Sequence, residues 1–325
     1  MPSNKRQHTI PRAYLERFIE SAPPAGHTPA VWVYERTERE PYKRAPTNVA
    51  VKSYYYSFVT REGAREDAAD ELLQRIEGLG LPVLRKLEAG TDPATLSLED
   101  RAAAAHLIAM FAVRIEGFRN RVDAFAKEVL RQTAELSAAH KEYFERIMKE
   151  ASRAAGKEPP QDVEAVRQFV LSGEYEITVD PLFSLQQMVQ LGPMIAEYPY
   201  SCHWRILEAP DNAPFVTSDH PLVLVSTHKQ PALYGLGAGW ESPWMEASLP
   251  LSPRSLLLMS LHHPEGREAV TADAVHEANL RTAIFASCVL SDRLLDVGVL
   301  NRPPNWDWWV PLTAALAPPM SGDAL

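Results

Sequence analysis

The stretch QHTIPRAYLERF, residues 7–18, is the most compact structural signal in the sequence. Pro11 suits the first turn of a helix, because the first turn leaves its N–H groups unpaired and proline has none. After it, Tyr14, Leu15 and Phe18 recur at helical spacing and predict an apolar face. The stretch therefore predicts a short helix that docks on a core through one side.

Strand signals lie on both sides of a long helical region. VWVYER at residues 31–36 alternates and is rich in β-forming residues, and a second extended piece spans residues 49–59. From about residue 65 to about 195, apolar residues recur at helical spacing and predict a block of long helices. Strand-like alternation returns over about 199–300. We therefore predict an α+β fold, in which the long helices pack against a mixed β-sheet that joins the N-terminal strands to the later ones.

Local signals refine this prediction. Ser97 has the residue type and position of a helix cap, and the helix it opens is expected to run to about residue 155, in one or two pieces. We expect residues 1–300 to form a single α+β domain, which is long enough to bury a sizeable core. Residues 301–325, with three tryptophans among several prolines, are expected to form an extended tail.

The composition excludes several classes of protein. A chain of 325 residues that is 46% hydrophobic and 23% charged is ordinary for a globular protein. A net charge of −9 argues against nucleic acid as a partner, because binding to phosphates needs clustered Lys and Arg. No apolar run is long enough to predict a membrane span, and no signal peptide is expected. Cys202 and Cys288 need no disulfide, which favours a cytoplasmic location. No membrane partner is expected, because no membrane span is predicted.

Several elements occur together in one order. They are QHTIPRAYLERF, VWVYER, NVAVKSYYYS, RIEGLGLPVLRKL, AVRIEGFR and FVTSDHPL. In this order they resemble the bacterial family called domain of unknown function 4238, over roughly residues 7–288. The resemblance implies that the polar landmarks of the family fall on Gln7, His8, Glu77, Arg114, Arg119, Ser218 and Asp219. It implies positions only, because the family has no established activity.

Glu77 and Arg114 are charged residues on the apolar stripes of two successive predicted helices. A buried charge without a partner is too costly, so each residue must be paired or functional. One interpretation is an ion pair between Glu77 and Arg114 that locks the two helices. The other is that they line a pocket, where the planar fork of Arg114 binds an anionic substrate group. We predict direct contact in either case.

His8 and Asp219 are the other two catalytic candidates. His8 precedes the first helix and is either a general base or an anchor of that helix through a hydrogen bond. Asp219 follows the predicted strand 215–217 and either holds a turn or projects into a site. We predict that the two lie close together at a cleft, where Asp219 orients the imidazole. Ser218 and His220 share one side of an extended segment while Asp219 points away, so this run is not a catalytic triad.

The remaining site residues follow from the resemblance. Gln7, Arg119 and Ser218, together with Arg114, are expected to bind substrate. No metal site is expected, because His and Cys residues lack the short spacings of zinc ligands, and no cofactor motif is present. A weakly held Mg²⁺ at Glu77 or Asp219 stays open, since hard cations need only a few oxygens.

Polar residues gathered from distant segments are typical of an enzyme site. The first hypothesis is an acid–base enzyme of hydrolase or transferase type that acts on a small or phosphate-bearing substrate. The alternative is a non-catalytic sensor or partner-binding protein of a toxin or defence system, whose polar residues hold the fold. The expected partner is a small molecule, and a protein partner is not identified by the sequence.

Overall fold

The computed structural model describes residues 5–20, 26, 28–38, 40–60, 62–227, 239–242 and 244–295. Over these residues the fold is α+β, as predicted. The helices described are α1 (Arg12–Leu15), α2 (Ala68–Glu88), α3 (Leu98–Val113), α4 (Glu116–Ala139), α5 (Lys141–Ala154), α6 (Val163–Ser172), α7 (Pro181–Ser201) and α8 (Ala272–Phe285). The strands described are β1 (Arg6–His8), β2 (Val31–Glu35), β3 (Tyr42–Arg44), β4 (Val51–Ser53), β5 (Phe58–Val59), β6 (Arg65–Glu66), β7 (His203–Glu208), β8 (Thr217–Ser218), β9 (Val223–Ser226), β10 (Met245–Ser252), β11 (Ser255–Ser260), β12 (Gly266–Ala269) and β13 (Cys288–Ser291).

The chain divides into two compact units. One comprises the residues up to 115 together with those from 188 onward, and the other comprises residues 116–187. The boundary falls inside the predicted helical block, so α2 and α3 belong to the first unit and α4, α5 and α6 to the second. The single-domain arrangement stays a prediction. The predicted tail, residues 301–325, lies outside the described residues.

The described part of the first unit contains the two-stranded sheets β1-β4 and β5-β6 and two larger sheets. One has the order β12-β7-β11-β10-β9 and is mixed, because β12 runs parallel to β7 while the other pairs are antiparallel. The other is antiparallel with the order β3-β2-β13-β8. The N-terminal strand β2 therefore does join later strands, but through a second sheet and not through the mixed one. Strands β10 and β11 are buried along their whole length, so both of their faces are covered.

The first helix docks as its apolar spacing predicts. Tyr14, Leu15 and Phe18 are fully buried. The Tyr14 hydroxyl donates to the carbonyl of Pro250 at 2.6 Å and lies 2.8 Å from the hydroxyl of Thr217. Burial raises the pKa of Tyr14, so its hydroxyl stays protonated and keeps the N-terminal segment bonded to β8 and β10.

The prediction of one continuous extended segment over residues 49–59 is wrong between β4 and β5. β4 ends at Ser53, a turn follows, and β5 starts at Phe58. Tyr54 has a φ of 53°, a left-handed conformation that aromatic residues rarely adopt. The turn brings Tyr56 into the core, where it is fully buried, while β4 pairs with β1.

Helices α2 and α3 pack closely side by side. A Cβ atom on Gly80 would lie 2.5 Å from the Cβ atom of Leu107, so glycine permits this approach. The predicted cap of α3 is confirmed, because the Ser97 hydroxyl accepts the N–H of Asp100 at 3.1 Å. The helix expected to run to about residue 155 in one or two pieces is instead three, because α3 ends at Val113 and α4 and α5 follow.

Helices α4, α5 and α6 contact one another in the second unit. Ala138 of α4 is fully buried, and its carbonyl accepts an N–H of Arg167 from α6 at 2.9 Å. Asp162 caps α6 through the N–H of Ala165, and Gly173 ends the helix with a positive φ of 69°. None of the described helices is long and apolar enough to cross a membrane.

Candidate functional site

Arg114, which follows the last residue of α3, contacts three parts of the first unit. Its Nη1 lies 2.6 Å from Oε1 of Glu77 on α2, so the predicted direct contact is confirmed. Its Nη2 donates to the carbonyl of His8 at 2.6 Å, and its Nε donates to the hydroxyl of Tyr56 at 3.4 Å. The Arg114 side chain is 3% exposed, whereas that of Glu77 is 23% exposed. The guanidinium is therefore enclosed, and its carboxylate partner faces solvent in part.

Gln7 fixes the turn that carries Tyr56. Its Oε1 accepts the N–H of Tyr56 at 2.7 Å, and its Nε2 donates to the hydroxyl of Ser57 at 3.0 Å. Ser57 in turn donates to Oδ1 of Asp67 at 2.5 Å. The Tyr56 hydroxyl donates to the carbonyl of Arg114 at 3.2 Å. The structure thus brings together one set of residues, which we call the Arg114 cluster: Gln7, His8, Tyr56, Glu77 and Arg114.

His8 is the member of the cluster with spare hydrogen-bonding capacity. Its ring is half-buried, and its buried Nδ1 has no hydrogen-bond partner among the described residues. Burial, as the largest cause, and the charge of Arg114 lower the pKa of His8. A hydrogen bond to the backbone of Val49 and the charge of Glu77 raise it, and the resulting pKa lies below the ordinary value. At neutral pH the imidazole is therefore uncharged and can accept a proton.

The charge of Arg114 is fixed. Burial by itself lowers the pKa of Arg114, but Tyr56 and Glu77 outweigh it and raise that pKa above its ordinary value. Arg114 is therefore always cationic, and its N–H groups on Nη1, Nη2 and Nε already point to partners within the fold. This arrangement suits a residue that positions the backbone of His8 better than one that binds a substrate anion.

Asp219 and Ser218 hold a strand end. Oδ1 of Asp219 accepts the N–H groups of Ser287 and Cys288 at 3.0 and 3.1 Å, and its own N–H donates to the carbonyl of Cys288 at 3.0 Å. The Ser218 hydroxyl accepts the N–H of His220 at 3.0 Å. These contacts match the turn-holding interpretation of Asp219. The described contacts of His8 involve other residues, so the closeness of His8 and Asp219 stays a prediction.

Arg119 belongs to the second unit. Its Nε donates to the hydroxyl of Ser184 at 3.1 Å, and its Nη2 donates to the carbonyl of Pro181 at 2.9 Å. Both acceptors lie in the first turn of α7. Arg119 therefore ties α4 to the start of α7, and its role as a substrate-binding residue stays a prediction.

Sequence reasoning missed two groups of residues. Tyr56 is not among the site residues predicted from the sequence, although its hydroxyl bonds to both the backbone carbonyl and the Nε of Arg114. A second buried ion pair joins Arg281 of α8 to Glu246 of β10 at 2.9 Å, with exposed fractions of 1% and 5%. A charged residue that heads the apolar run at 245–252 was the available signal for this pair.

A separate cleft of about 310 Å³ lies at the edge of the mixed sheet. Arg254 and Arg267 line it, but Arg254 pairs with Asp211 at 2.7 Å and Arg267 pairs with Glu208 at 2.6 Å. None of the site residues predicted from the sequence lines this cleft. In the part of the chain that the structure describes, no three His, Cys, Asp or Glu residues are grouped to hold a metal ion.

Comparison with known proteins gives one match. The family model described as "Protein of unknown function (DUF4238)" matches residues 6–290, which is nearly the whole chain. No curated protein and no solved structure matches. The match contains every member of the Arg114 cluster.

Proposed function

The chain belongs to the DUF4238 family, and from that premise we propose that it is an acid–base enzyme of hydrolase or transferase type. The proposed substrate is small or phosphate-bearing. In this proposal His8 is the general base, Glu77 tunes its basicity, and Arg114 is a positioning residue that holds the backbone of His8.

The observation that carries the proposal is the buried Nδ1 of His8 without a partner among the described residues. A buried polar atom left unbonded costs about 1–3 kcal/mol. Within the described part of the chain, His263 also has an unbonded buried ring nitrogen, Nε2, but His8 is the histidine that lies beside the Glu77–Arg114 pair. The lowered pKa of His8 keeps the imidazole uncharged at neutral pH, so one of its two ring nitrogens carries no proton, which is the state that a general base needs.

The surroundings of His8 support proton transfer at this atom. Once protonated, the imidazolium is favoured by Glu77 and opposed by Arg114 and Arg12, because these charges act on the pKa of His8 in those directions. The proton therefore returns readily to a leaving group.

The test uses the purified chain and a panel of chromogenic phosphate and carboxylic esters. We expect hydrolysis of at least one ester to fall about 100-fold or more in His8→Gln, as for other general bases. The matched control is His106→Gln, because His106 is exposed on α3 and bonds only to the carbonyl of Ala102 in its own helix among the described contacts. Equal activity of His8→Gln and the natural chain would refute the proposal.

The second candidate function is a non-catalytic sensor or partner-binding protein. The observation that favours it is that Gln7, Arg114, Ser218 and Asp219 each have hydrogen-bond partners inside the fold. Residues used in this way hold structure. If no ester in the panel is hydrolysed and His8→Gln lowers the melting temperature strongly, this candidate takes precedence.

A further inference from the structure

Helix α4 carries large apolar side chains on its surface. Phe125, Val129 and Leu136 are 73%, 44% and 69% exposed. They belong to a series whose members are separated alternately by four and three residues along the helix. The series, which we call the α4 seam, consists of Phe118, Val122, Phe125, Val129, Gln132, Leu136 and Ala139. This is the heptad spacing of helices that pack against another helix.

The α4 seam is not the face that α4 uses within its own unit. That face contains Ala138, which is fully buried and bonded through its carbonyl to Arg167 of α6. At 3.6 residues per turn, Ala138 lies roughly 150° around the helix from the centre of the seam. The seam therefore has the pattern of an interface while its central residues face solvent.

We infer that α4 binds the same helix of a second copy of the chain, in antiparallel orientation. With the two helices centred between Phe125 and Val129, Phe125 of each copy faces Val129 of the other, and Phe118 faces Leu136. Gln132 then faces Val122, and one polar residue in such a seam fixes the register. The inference concerns a surface of the second unit and does not depend on the proposed acid–base chemistry.

Charges beside the seam select the antiparallel orientation. Arg121 and Glu135 lie on the same edge of the seam, and in the antiparallel arrangement Arg121 of each copy faces Glu135 of the other. Because the proposed dimer has two-fold symmetry, this ion pair occurs twice in it. In a parallel arrangement Arg121 would face Ala126, so the pair would be lost. Glu128 meets its own counterpart, and Arg131 of the same helix contacts both Glu128 at 2.7 Å and Glu135 at 3.0 Å, so it offsets part of each charge. Arg121 of the second copy would supply the further positive charge that these two carboxylates lack.

The first test is the oligomeric state of the full chain, measured by sedimentation velocity across micromolar concentrations. We expect a reversible monomer–dimer equilibrium that Phe125→Glu shifts to monomer. The matched control is Leu130→Glu, because Leu130 is 51% exposed on the same helix but lies about 130° from the seam centre. A natural chain that stays monomeric, or a control that dissociates as fully as Phe125→Glu, would overturn the inference.

The second test is a charge exchange that preserves the apolar seam. Arg121→Glu alone and Glu135→Arg alone should each weaken the dimer about tenfold, because attraction becomes repulsion at two symmetric places. The double variant should restore the affinity to within about twofold of the natural chain, since the pair is re-formed with reversed signs. Circular dichroism checks that all variants keep the same helix content. A double variant as weak as the single ones would overturn the antiparallel register.

Discussion

Two buried arginines in the first unit form ion pairs of different kinds. Arg281 is paired with Glu246, and both side chains are at most 5% exposed. A second carboxylate, Glu277, lies 3.3 Å from Arg281 and is 26% exposed. Arg114 is equally enclosed, but its partner Glu77 is 23% exposed, and its other described partners are the neutral groups of His8 and Tyr56. We call the Arg281–Glu246 pair closed, because both of its side chains are shielded from solvent, and the term applies to this pair alone and not to Glu277. We call the Arg114–Glu77 pair open, because its carboxylate is partly exposed.

The difference separates a structural pair from a candidate site. A pair closed to solvent can hold α8 against β10, but it offers no atom to a ligand. The open pair lies beside the neutral imidazole of His8, so a charge, a base and a partly exposed carboxylate occur in one place. Burial of an arginine alone therefore does not identify a site, and neither does a partly exposed carboxylate partner, because Arg17 and Glu88 form a similar pair with exposed fractions of 7% and 32%. What distinguishes the Arg114 pair is the neutral imidazole of His8 beside it.

Breaking the closed pair should have the largest effect. Replacing either Glu246 with Gln or Arg281 with Met leaves a buried group without its partner, and we expect the free energy of unfolding to fall by about 3–5 kcal/mol. Urea denaturation of each single variant measures this loss. The combination Glu246→Leu with Arg281→Met should recover most of it, because no buried charge remains at this pair. A loss below about 1 kcal/mol in both single variants would contradict the conclusion that this pair is shielded from solvent.

Replacing either member of the open pair should lower the free energy of unfolding, but by different amounts for Arg114 and Glu77. Arg114→Met removes contacts to Glu77, His8 and Tyr56 at once, and we expect a loss of about 2–4 kcal/mol in the free energy of unfolding. Glu77→Gln keeps a hydrogen-bond acceptor for Arg114 and is partly hydrated, so its loss should be about 1 kcal/mol. Equal losses in the two variants, measured by the same denaturation experiment, would show that the pair is closed like the other.

A smaller effect is expected in the pH dependence of stability. The folded-state pKa of His8 lies below its unfolded value of about 6.5, so the unfolded chain binds more protons in that window. Stability therefore falls as the pH drops from about 6.5 through the folded pKa of His8. In His8→Ala this part of the decline should disappear, with a change in stability below about 1 kcal/mol at neutral pH. An unchanged decline in the variant would mean that His8 has no shifted pKa.

The smallest effect is a displacement of that pKa itself. Glu77 raises the pKa of His8, so Glu77→Gln should move the imidazole titration to lower pH, whereas Glu246→Gln should leave it in place. Proton NMR of the ring C–H resonances follows both titrations. A titration that is the same in Glu77→Gln and the natural chain would remove Glu77 from the proposed site.

The sequence predicted the open pair and missed the closed one for physical reasons. Glu77 and Arg114 stand out because each interrupts an apolar stripe of helical period, and a period of 3.6 is strong over long helices. Glu246 is the second residue of β10, a strand that is buried on both faces and contains Pro250, so the strand sequence has no alternation that a charge could interrupt.

The turn at Tyr54 was hidden for a similar reason. Aromatic residues favour strands, and nothing in the composition of residues 54–56 indicates a left-handed conformation. The tertiary contacts of Tyr56 with Gln7 and Arg114 override the local preference. By contrast Ser97 was identifiable as a cap, because the cap depends on adjacent residues alone.

The pairing of β2 with β13 has a consequence for the synthesis of the chain. Val33 lies opposite Leu290, so one edge of β2 finds its partner only after some 250 further residues have been translated. At ordinary elongation rates this takes roughly 10 to 50 s. During that time β2 has β3 as its only neighbour in this sheet, and its other edge can pair with strands of other nascent chains. A ribosome that stalls before residue 288 therefore displays an aggregation-prone edge, and yield should depend on chaperones that shield it.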